Sequence, residues 1–571
     1  MTLLARIPRT PLLLAVIAFG LYFPGFWWGA PHATAADRVQ SWGVDDGTPL
    51  QPLADVHNII RPKPDRNFGY PLMHSFVLTA AYSPYLGWLY VTGQFSPAHA
   101  ASYPFGLADP VGALRTLTLI GRLVSVLMGV GIVVAAWDAA RALWDDRTAV
   151  LAALMVMSLF PMFYYSRVGN PDVPVLFYSA IALAIFARSI RDGFTVRRGL
   201  CLGAFAGFAV ATKEPIAALF VALPPALVYL LWRDNRASGW LAWRVWKPAL
   251  AAAAAAFAAF GAGSGLFVDP TFYMRHLEFS RERVETLVSA SIAHVRSYPR
   301  TMEGHLELAG VLWNYLADAM TLAGALVAMV GVVWVLRREP RGALFALPAF
   351  TYLLVLFWAA RAGQLRYLFP AAFILAFFAA RALVLAWQSR QQALRWAGVA
   401  AGVSVIGLGL LRGVDLTHAM IYDSRFAAAQ WLAARTSPGQ RVEFFGESAE
   451  LPPLSAEVQT TRSISYRGAV YQPGRGPAAV EQILAGWRTR QPDMIILVPD
   501  HSSPPGVPHN ITCPPEIYRG LLDGAYGYQL AAQFETPRLL PWVRRPPLDY
   551  PGVNPPIRIF MRAGAHEEGA P

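Results

Sequence analysis

The sequence predicts a polytopic α-helical membrane protein that carries a small α/β domain at its C-terminal end. Of its 571 residues, 55% are hydrophobic and only 15% are charged, whereas soluble proteins carry roughly 25% charged residues. The mean hydropathy is +0.37, and apolar runs of membrane-spanning length recur up to residue 411. Beyond that point short segments alternate between helical and strand periodicity, which is typical of an α/β domain.

The apolar runs predict about eleven membrane spans. A membrane helix needs about 20 residues, within a range of about 17 to 25. The first run follows two arginines and ends in an aromatic cluster typical of a membrane interface, so we expect an uncleaved helix, with a cleaved signal peptide as the alternative. Residues 70–92 contain two prolines and are expected to re-enter the membrane or lie in its interface. The expected spans are 11–28, 113–137, 148–165, 173–190, 199–211, 215–232, 247–267, 309–336, 342–360, 367–387 and 394–411.

The charges of the short loops predict the orientation. Loops such as 188–198, 233–247 and 337–341 are rich in arginine, and basic loops stay in the cytoplasm. With the N-terminus in the cytoplasm, an odd number of spans places the first loop and the C-terminal region on the outer, extracytoplasmic side. The net charge of +12 then reflects this bias and contact with anionic membrane lipids. A nucleic-acid partner is excluded, because the arginines do not form one patch.

We divide the chain into a transmembrane domain, 1–411, and a C-terminal domain, 412–571. The first has two long outer loops, 29–75 and 268–308. The second is expected to contain strands near 441–447, 492–500 and 528–535, separated by helices, and to end in a proline-rich tail that is disordered at its end. The two cysteines of the chain, Cys201 and Cys513, lie in different domains and are not expected to form a disulfide.

The first outer loop contains the adjacent acids Asp45 and Asp46. It is too polar for the bilayer and long for a connection, and loops of this kind often carry function. One carboxylate of such a pair can act as a general base on a hydroxyl while the other orients or binds the substrate. The alternative is a solvated turn, because Asp-Asp-Gly is also a common turn sequence.

Polar residues also gather at the outer ends of the predicted spans. Arg167, Asn170 and Asp172 follow the third span, where such residues usually face a cavity or a partner. Arg366 lies on the outer side against the charge trend, which suits a phosphate contact. The alternatives are an interfacial turn and side chains that extend to the membrane surface.

Lys213 lies at the predicted outer face beside Pro215 and could bind a phosphate as a point charge. The alternative is a local ion pair with Glu214. The histidines His57, His74 and His276 lack the spacing of a metal site, so we predict no cofactor and leave a divalent metal as a lesser possibility.

These features occur in an order that resembles a known family. An acidic pair in the first outer loop precedes an Arg-x-x-Asn-Pro-Asp turn at 167–172, a Gly-x-Ala-x-Ala-Thr-Lys-x-Pro segment at 207–215 and an Arg-Tyr-x-x-Pro segment at 366–370. The sequence is similar to the GT-C membrane glycosyltransferases, specifically the bacterial phospholipid-carrier-dependent group. That group is related to protein O-mannosyltransferases and to the aminoarabinose transferase of lipid A.

The resemblance implies a GT-C-like fold and an inverting transfer of a hexosyl or pentosyl group at the bacterial inner membrane. The donor would be a sugar on a polyprenyl phosphate, and the acceptor a hydroxyl of a lipid, a glycan or a protein. Asp45 or Asp46 would be the base; relatives often have Asp-Glu here, so which of the two acts stays open. The remaining residues divide into donor phosphate-binding positions, Lys213, Arg366, Arg61 and Arg167, and substrate-binding positions, Asn170, Asp172 and His74.

Other functions remain possible at this stage. A secondary transporter is less favoured, because the hydropathy shows no twofold repeat and no matched pair of broken helices. A non-catalytic membrane assembly protein would tolerate changes at the acidic pair. A ligase or polymerase of lipid-linked oligosaccharides would share the fold and differ in the length of its donor.

Overall fold

The structure is a computed structural model. It describes residues 9–32, 41–43, 46, 49–61, 69–100, 102–236, 239, 242–289, 298–361, 364–445, 451–455, 457–463, 476–498, 513–546 and 552–563. The α-helices are α1 (Arg9–Tyr22), α2 (Leu50–Ile60), α3 (Met73–Val91), α4 (Pro110–Leu143), α5 (Asp146–Met157), α6 (Phe160–Tyr165), α7 (Asp172–Asp192), α8 (Val196–Val210), α9 (Ala217–Phe220), α10 (Leu223–Asp234), α11 (Trp243–Gly263), α12 (Pro270–Ser289), α13 (Met302–Met320), α14 (Leu322–Arg338), α15 (Pro340–Val355), α16 (Phe369–Trp387), α17 (Gln392–Ile421), α18 (Ser424–Ala433), α19 (Gly476–Arg490) and α20 (Pro515–Leu522). The strands are β1 (Arg441–Phe445), β2 (Gln459–Arg462), β3 (Met494–Leu497), β4 (Tyr528–Phe534) and β5 (Ile557–Arg562).

Seven helical segments of the described chain are long and apolar enough to cross a membrane, and an eighth is added if the bent pair α13–α14 counts as one span. The chain is therefore a mostly helical integral membrane protein, and the count of eleven spans stays a prediction. The seven segments are Pro110–Leu143, Asp172–Asp192, Glu214–Asp234, Trp243–Gly263, Pro340–Ala360, Leu365–Trp387 and Gln392–Ala433.

Two apolar runs that hydropathy joins into single spans are interrupted in the structure. The run 148–165 contains two helices, because α5 ends at Met157 and α6 begins only at Phe160. The run 309–336 bends by 105° between α13 and α14. At that bend Thr321 has a φ of +69°, and its hydroxyl caps α14 by accepting from the Gly324 amide at 3.1 Å. By contrast, α3 continues through Pro84, although the prolines of 70–92 indicated a break.

The chain groups into two compact units. The first comprises Met1–Phe26, Pro49–Ser83 and Ile120–Val414, and the second comprises Trp27–Thr48, Pro84–Leu119 and Asp415–Pro571. In the first unit, α16 is buried along almost its whole length and forms the centre of the packing.

Helices α8 and α11 of the first unit pack closely together, and this pairing depends on glycine. Cβ atoms added at Gly199, Gly203 and Gly207 would lie 2.2, 2.0 and 2.5 Å, respectively, from main-chain oxygens of α11. Small residues at every fourth position let two membrane helices approach in this way. This packing fixes the direction of α8 and hence the place where its C-terminal end presents Lys213.

The second unit contains a five-stranded sheet in the order β2-β1-β3-β5-β4. Strands β2, β1 and β3 are parallel, and β5 runs antiparallel to both of its neighbours. Apolar side chains pack on both faces of the sheet. The proline-rich tail supplies β5, an inner strand that the sequence pattern did not reveal, and the expected disorder of its end falls on residues 564–571, outside the described residues.

Candidate functional site

The first part of the candidate site is the turn that starts α7. Asn170 and Asp172 are both buried, and they bond to each other across Pro171. The Asn170 amide nitrogen donates to Oδ2 of Asp172 at 3.1 Å, and the Asp172 main-chain amide donates to Oδ1 of Asn170 at 3.2 Å. Because Asp172 is the first residue of the helix, the N-terminal dipole also favours its negative charge. The turn therefore holds one carboxylate oxygen, Oδ1, in a fixed direction.

Lys213, just beyond the end of α8, contacts that oxygen. Its Nζ lies 2.6 Å from Oδ1 of Asp172, and the two side chains are only 12% and 6% exposed. The ammonium also lies 5.5 Å from the centre of the Tyr70 ring. Burial alone would lower the pKa of Lys213, but the charge of Asp172 outweighs it and leaves the pKa raised. Lys213 is therefore held in its charged form.

The sequence alternative for Lys213, an ion pair with Glu214, is not what the structure contains. Glu214 instead accepts a hydrogen bond from Nε2 of His276 at 2.7 Å, and that histidine is 1% exposed. The adjacent residues thus have different partners, one on α7 and one on α12. The pKa of Tyr273, which stacks near His276, is raised to about 12 by burial and by the charge of Glu214.

Arg366 adds a second positive charge to this region. It lies in the short helix Leu365–Leu368, where its Nε donates to Oε1 of Gln364 at 2.9 Å. Its charge acts unfavourably on the Lys213 ammonium, so the two cations lie within electrostatic range. Lys213, Arg366 and Asp172 together carry one net positive charge. We name these three residues the cation cluster.

His74 lies beside the same turn, because its Nε2 is 3.3 Å from the main-chain oxygen of Gly169. Arg61 follows the end of α2 and is exposed. Of the residues singled out from the sequence, the structure thus gathers His74, Asn170 and Asp172 with Lys213, and Arg366 follows within electrostatic range.

Arg167 has a different environment. Its guanidinium is completely buried and donates to the main-chain oxygens of Leu21, Pro24 and Phe163. The carbonyls at the end of a helix have no partner inside the helix, and Arg167 supplies one for the end of α1. We therefore assign it to the packing of α1 and omit it from the proposed phosphate contacts.

The acidic pair belongs to the second unit, and Asp45 itself lies outside the described residues. Asp46 is 7% exposed. Its main-chain amide donates to the carbonyl of Gly43 at 3.2 Å, and its carbonyl accepts from the Ser41 hydroxyl. The chain at Asp46 is therefore folded back in a tight turn next to Trp42.

Trp42 fixes this turn to the C-terminal part of the same unit. Its indole lies 3.7 Å from the guanidinium carbon of Arg425 and is completely buried. On the other side, its amide donates to the carbonyl of Gly29 at 2.9 Å. Gly29 has a φ of +58°, and a Cβ atom there would lie 2.4 Å from the Trp42 side chain. A residue larger than glycine would displace the tryptophan.

Arg425 is itself locked by a buried carboxylate. Its Nε donates to Oδ1 of Asp423 at 2.8 Å. Oδ2 of the same carboxylate accepts from the Trp28 indole at 2.9 Å and from the Asn554 main-chain amide at 2.7 Å. Asp423 and Arg425 therefore anchor both Trp28 and Trp42, the aromatic residues that flank the loop.

The sequence did not point to several of these residues. Nothing in the residue types of Tyr70 and Gln364 marks them, and the sequence draws attention to Glu214 and His276 separately without indicating that they contact each other. In the described chain, no group of three or more His, Cys, Asp or Glu residues is arranged to hold a metal ion.

Comparison with known proteins identifies a family over part of the chain. The family model described as dolichyl-phosphate-mannose-protein mannosyltransferase matches residues 117–262, a stretch that contains Asp172 and Lys213. No curated protein sequence matches the chain.

Three solved structures illustrate what the chain is similar to. ArnT from Cupriavidus metallidurans, solved with bound undecaprenyl phosphate, is 13% identical with a TM-score of 0.45, over 96% of this chain and 97% of that one. The oligosaccharyltransferase AglB from Archaeoglobus fulgidus, solved with an inhibitory peptide and a dolichol-phosphate, is 12% identical with a TM-score of 0.45, over 97% and 88%. The mycobacterial arabinofuranosyltransferase AftD is 15% identical with a TM-score of 0.40, over 99% and 40%. The match of residues 117–262 to the model of the dolichyl-phosphate-mannose-protein mannosyltransferase family agrees with the resemblance indicated by the sequence motifs.

Proposed function

We propose that this protein is a glycosyltransferase that moves a sugar from a polyprenyl-phosphate carrier to an acceptor hydroxyl on the extracytoplasmic face of the membrane, with inversion at the sugar. The observation that carries the proposal is the cation cluster, in which Asp172 holds the buried Lys213 ammonium in a fixed place and Arg366 lies within electrostatic range of it. A family whose description names dolichyl-phosphate-mannose matches the stretch that contains two of these residues.

The cation cluster suits the leaving group of this reaction. When the bond between the anomeric carbon and the phosphate oxygen breaks, the polyprenyl phosphate gains negative charge. A fixed ammonium and a guanidinium beside that oxygen stabilise the developing charge without reorganisation of solvent. Asp172 holds Lys213 in one position, and Asn170 holds Asp172.

The acidic pair supplies the base in this proposal. Asp45 or Asp46 accepts the proton of the acceptor hydroxyl as its oxygen bonds to the anomeric carbon from the side opposite the phosphate. The products are the new glycoside, the polyprenyl phosphate and a protonated carboxyl group. A general base of this kind contributes about 10²- to 10⁴-fold to the rate. The sugar, a hexose or a pentose, and the acceptor, a lipid, a glycan or a protein, complete the substrate set.

The localisation follows from the same reasoning. The basic short loops support a location of the first loop and the C-terminal α/β region outside the cytoplasm. In a bacterium this corresponds to the inner membrane, where polyprenyl-phosphate sugars would reach the cation cluster from the outer leaflet.

A transfer assay tests the proposal. Membranes that contain the wild type, Asp45→Asn or Asp46→Asn receive a radiolabelled polyprenyl-phosphate sugar, and labelled acceptor is measured. Asp146→Asn is the matched control, because that carboxylate is 72% exposed and makes only an exposed ion pair. We expect the control to transfer as the wild type does and one of the loop variants to lose at least about 10²-fold. Full transfer by both loop variants would remove the acidic pair from the mechanism, and a wild type that moves no label from any donor would refute the proposed activity.

A further inference from the structure

The C-terminal unit contains a short turn that is tied to the end of a membrane helix. Arg538 and Arg545 converge on the carboxylate of Asp415, with distances of 3.1 and 2.9 Å to Oδ2. The Leu540 main-chain amide donates to the other oxygen, Oδ1, at 3.2 Å. Asp415 is completely buried by these contacts. We name residues 538–545 the clamped turn.

The clamped turn is rigid for further reasons. The Val543 amide donates to the Leu540 carbonyl at 3.1 Å, and Arg538 also donates to the Val543 carbonyl. Val543 is 4% exposed, so the turn has one buried residue that points inward. Its conformation is therefore set by main-chain bonds as well as by the two arginines.

Two large apolar side chains of the clamped turn are exposed to solvent, beside the exposed Arg544. Trp542 is 70% exposed and Leu539 is 48% exposed. A single exposed apolar side chain needs no explanation. Here, however, two arginine–carboxylate contacts hold the turn that carries both side chains against Asp415 of α17. The position of Asp415 along that helix therefore indicates where the two side chains lie.

The end of the apolar run in α17 predicts that Asp415 lies at the level of the lipid headgroups. The apolar run of α17 ends at residue 411, and a helix rises about 1.5 Å per residue, so Asp415 lies at most about 6 Å beyond the run. The headgroup layer of each leaflet is about 5–8 Å thick, since a bilayer of about 40–45 Å has a hydrocarbon core of about 30 Å. Leu540 bonds directly to Asp415, and Trp542 follows two residues later.

We propose that the clamped turn is a membrane-interface contact, in which Trp542 and Leu539 insert into the lipid–water interface of the leaflet where α17 ends. Tryptophan prefers this layer, because its ring is apolar and its N–H can still bond to water or headgroups. The partner is the lipid interface itself, and the proposal is independent of the chemistry at the cation cluster.

Site-specific fluorescence quenching tests this contact. Cys201 is exposed and is replaced by serine, whereas Cys513 is buried with a raised pKa and stays unreactive. In this background, single cysteines at Trp542→Cys, Leu530→Cys and Val403→Cys are labelled with an environment-sensitive dye. The full-length protein is reconstituted into phospholipid vesicles that contain lipids spin-labelled near the headgroup. The protein is diluted to about one molecule per vesicle, which removes contact with a second copy.

The control positions bracket the expected result. Val403 is 69% exposed on the apolar run of α17 and defines contact with lipid, whereas Leu530 is 45% exposed on β4 and serves as the comparison within the sheet. We expect the dye at 542 to be quenched about twofold or more relative to 530 and to emit at shorter wavelength, because the interface is only a few ångströms thick. Quenching at 542 that does not exceed that at 530 would overturn the proposal, whether both are low or both are high.

Discussion

The ion pair between Lys213 and Asp172 permits a test that separates a structural role from phosphate binding. The variants are Lys213→Gln, Asp172→Asn and the double substitution. If the lysine serves only to neutralise the aspartate, then replacing both should restore a functional protein. If the lysine also binds the donor phosphate, the double variant should fold well and still fail in transfer.

The size of the structural effect follows from burial. The two side chains are 12% and 6% exposed and lie 2.6 Å apart. Removing one partner of a buried pair leaves a buried charge and costs about 3–5 kcal/mol, whereas replacing both partners by neutral groups is often nearly neutral. We therefore expect both single variants to melt at lower temperature in detergent and the double variant to recover most of the loss. The matched control is Arg188→Gln with Asp138→Asn, a pair with side chains 51% and 23% exposed, which should change stability by less than about 1 kcal/mol.

The effect on transfer is measured as kcat/KM for the polyprenyl-phosphate sugar. A hydrogen bond to a charged group contributes about 1.5–3 kcal/mol, so loss of the Lys213 ammonium should lower kcat/KM by about 10- to 150-fold in the double variant. A double variant with wild-type stability and wild-type kcat/KM would refute the assignment of Lys213 to the donor phosphate.

Three further predictions follow from other contacts. Arg425→Lys keeps the charge but loses the planar contact 3.7 Å from the centre of the Trp42 ring. We therefore expect the free energy of unfolding to fall by up to about 2 kcal/mol and kcat to fall while the donor KM stays unchanged. An unchanged kcat would show that the contact between Trp42 and Arg425 does not contribute to activity. Asp415→Asn leaves two arginines around a neutral amide, and thermal melts should show a loss of about 3 kcal/mol; no loss would mean that the clamped turn is held by its main-chain bonds alone. The pKa of Lys213 is raised above its ordinary value of 10.5, so its charge is fully present below pH 10.5 and is lost only as the pH rises through the pKa in the folded protein. The donor KM should therefore stay constant from about pH 7 to 9. A rise in the donor KM near pH 8 would contradict a charged Lys213.

The positions of the membrane helices were largely predictable from the sequence, because hydropathy over about 20 residues reports directly on transfer into lipid. The interruptions were not. The most polar residue at the break between α5 and α6 is Ser158, and at the bend between α13 and α14 it is Thr321. A hydropathy window averages over such a position, whereas the backbone there depends on local capping and on packing against other helices.

Contacts between distant parts of the chain were also not predictable from the sequence. The pairing of Trp42 with Arg425 joins a polar loop to the start of α18, and neither sequence neighbourhood indicates the other. Strand β5 lies in a tail whose prolines suggested an irregular chain. It pairs with β3 and β4 because Ile557, Ile559 and Phe560 are completely buried on the two faces of the sheet, a fact that only the assembled sheet reveals.

Arg167 and Arg366 show why residue type and predicted side cannot by themselves identify a phosphate site. Both are arginines outside the basic loops that are predicted to be cytoplasmic, and both belong to motif segments. A completely buried guanidinium must have acceptors for its N–H groups, and Arg167 finds them in the carbonyls at the end of α1. Arg366 lies with Gln364 in a half-buried position and within electrostatic range of Lys213. What separates the two is their surroundings: neutral main-chain oxygens enclose the guanidinium of Arg167, whereas Arg366 lies near the charged side chain of Lys213, where we propose that the donor phosphate binds.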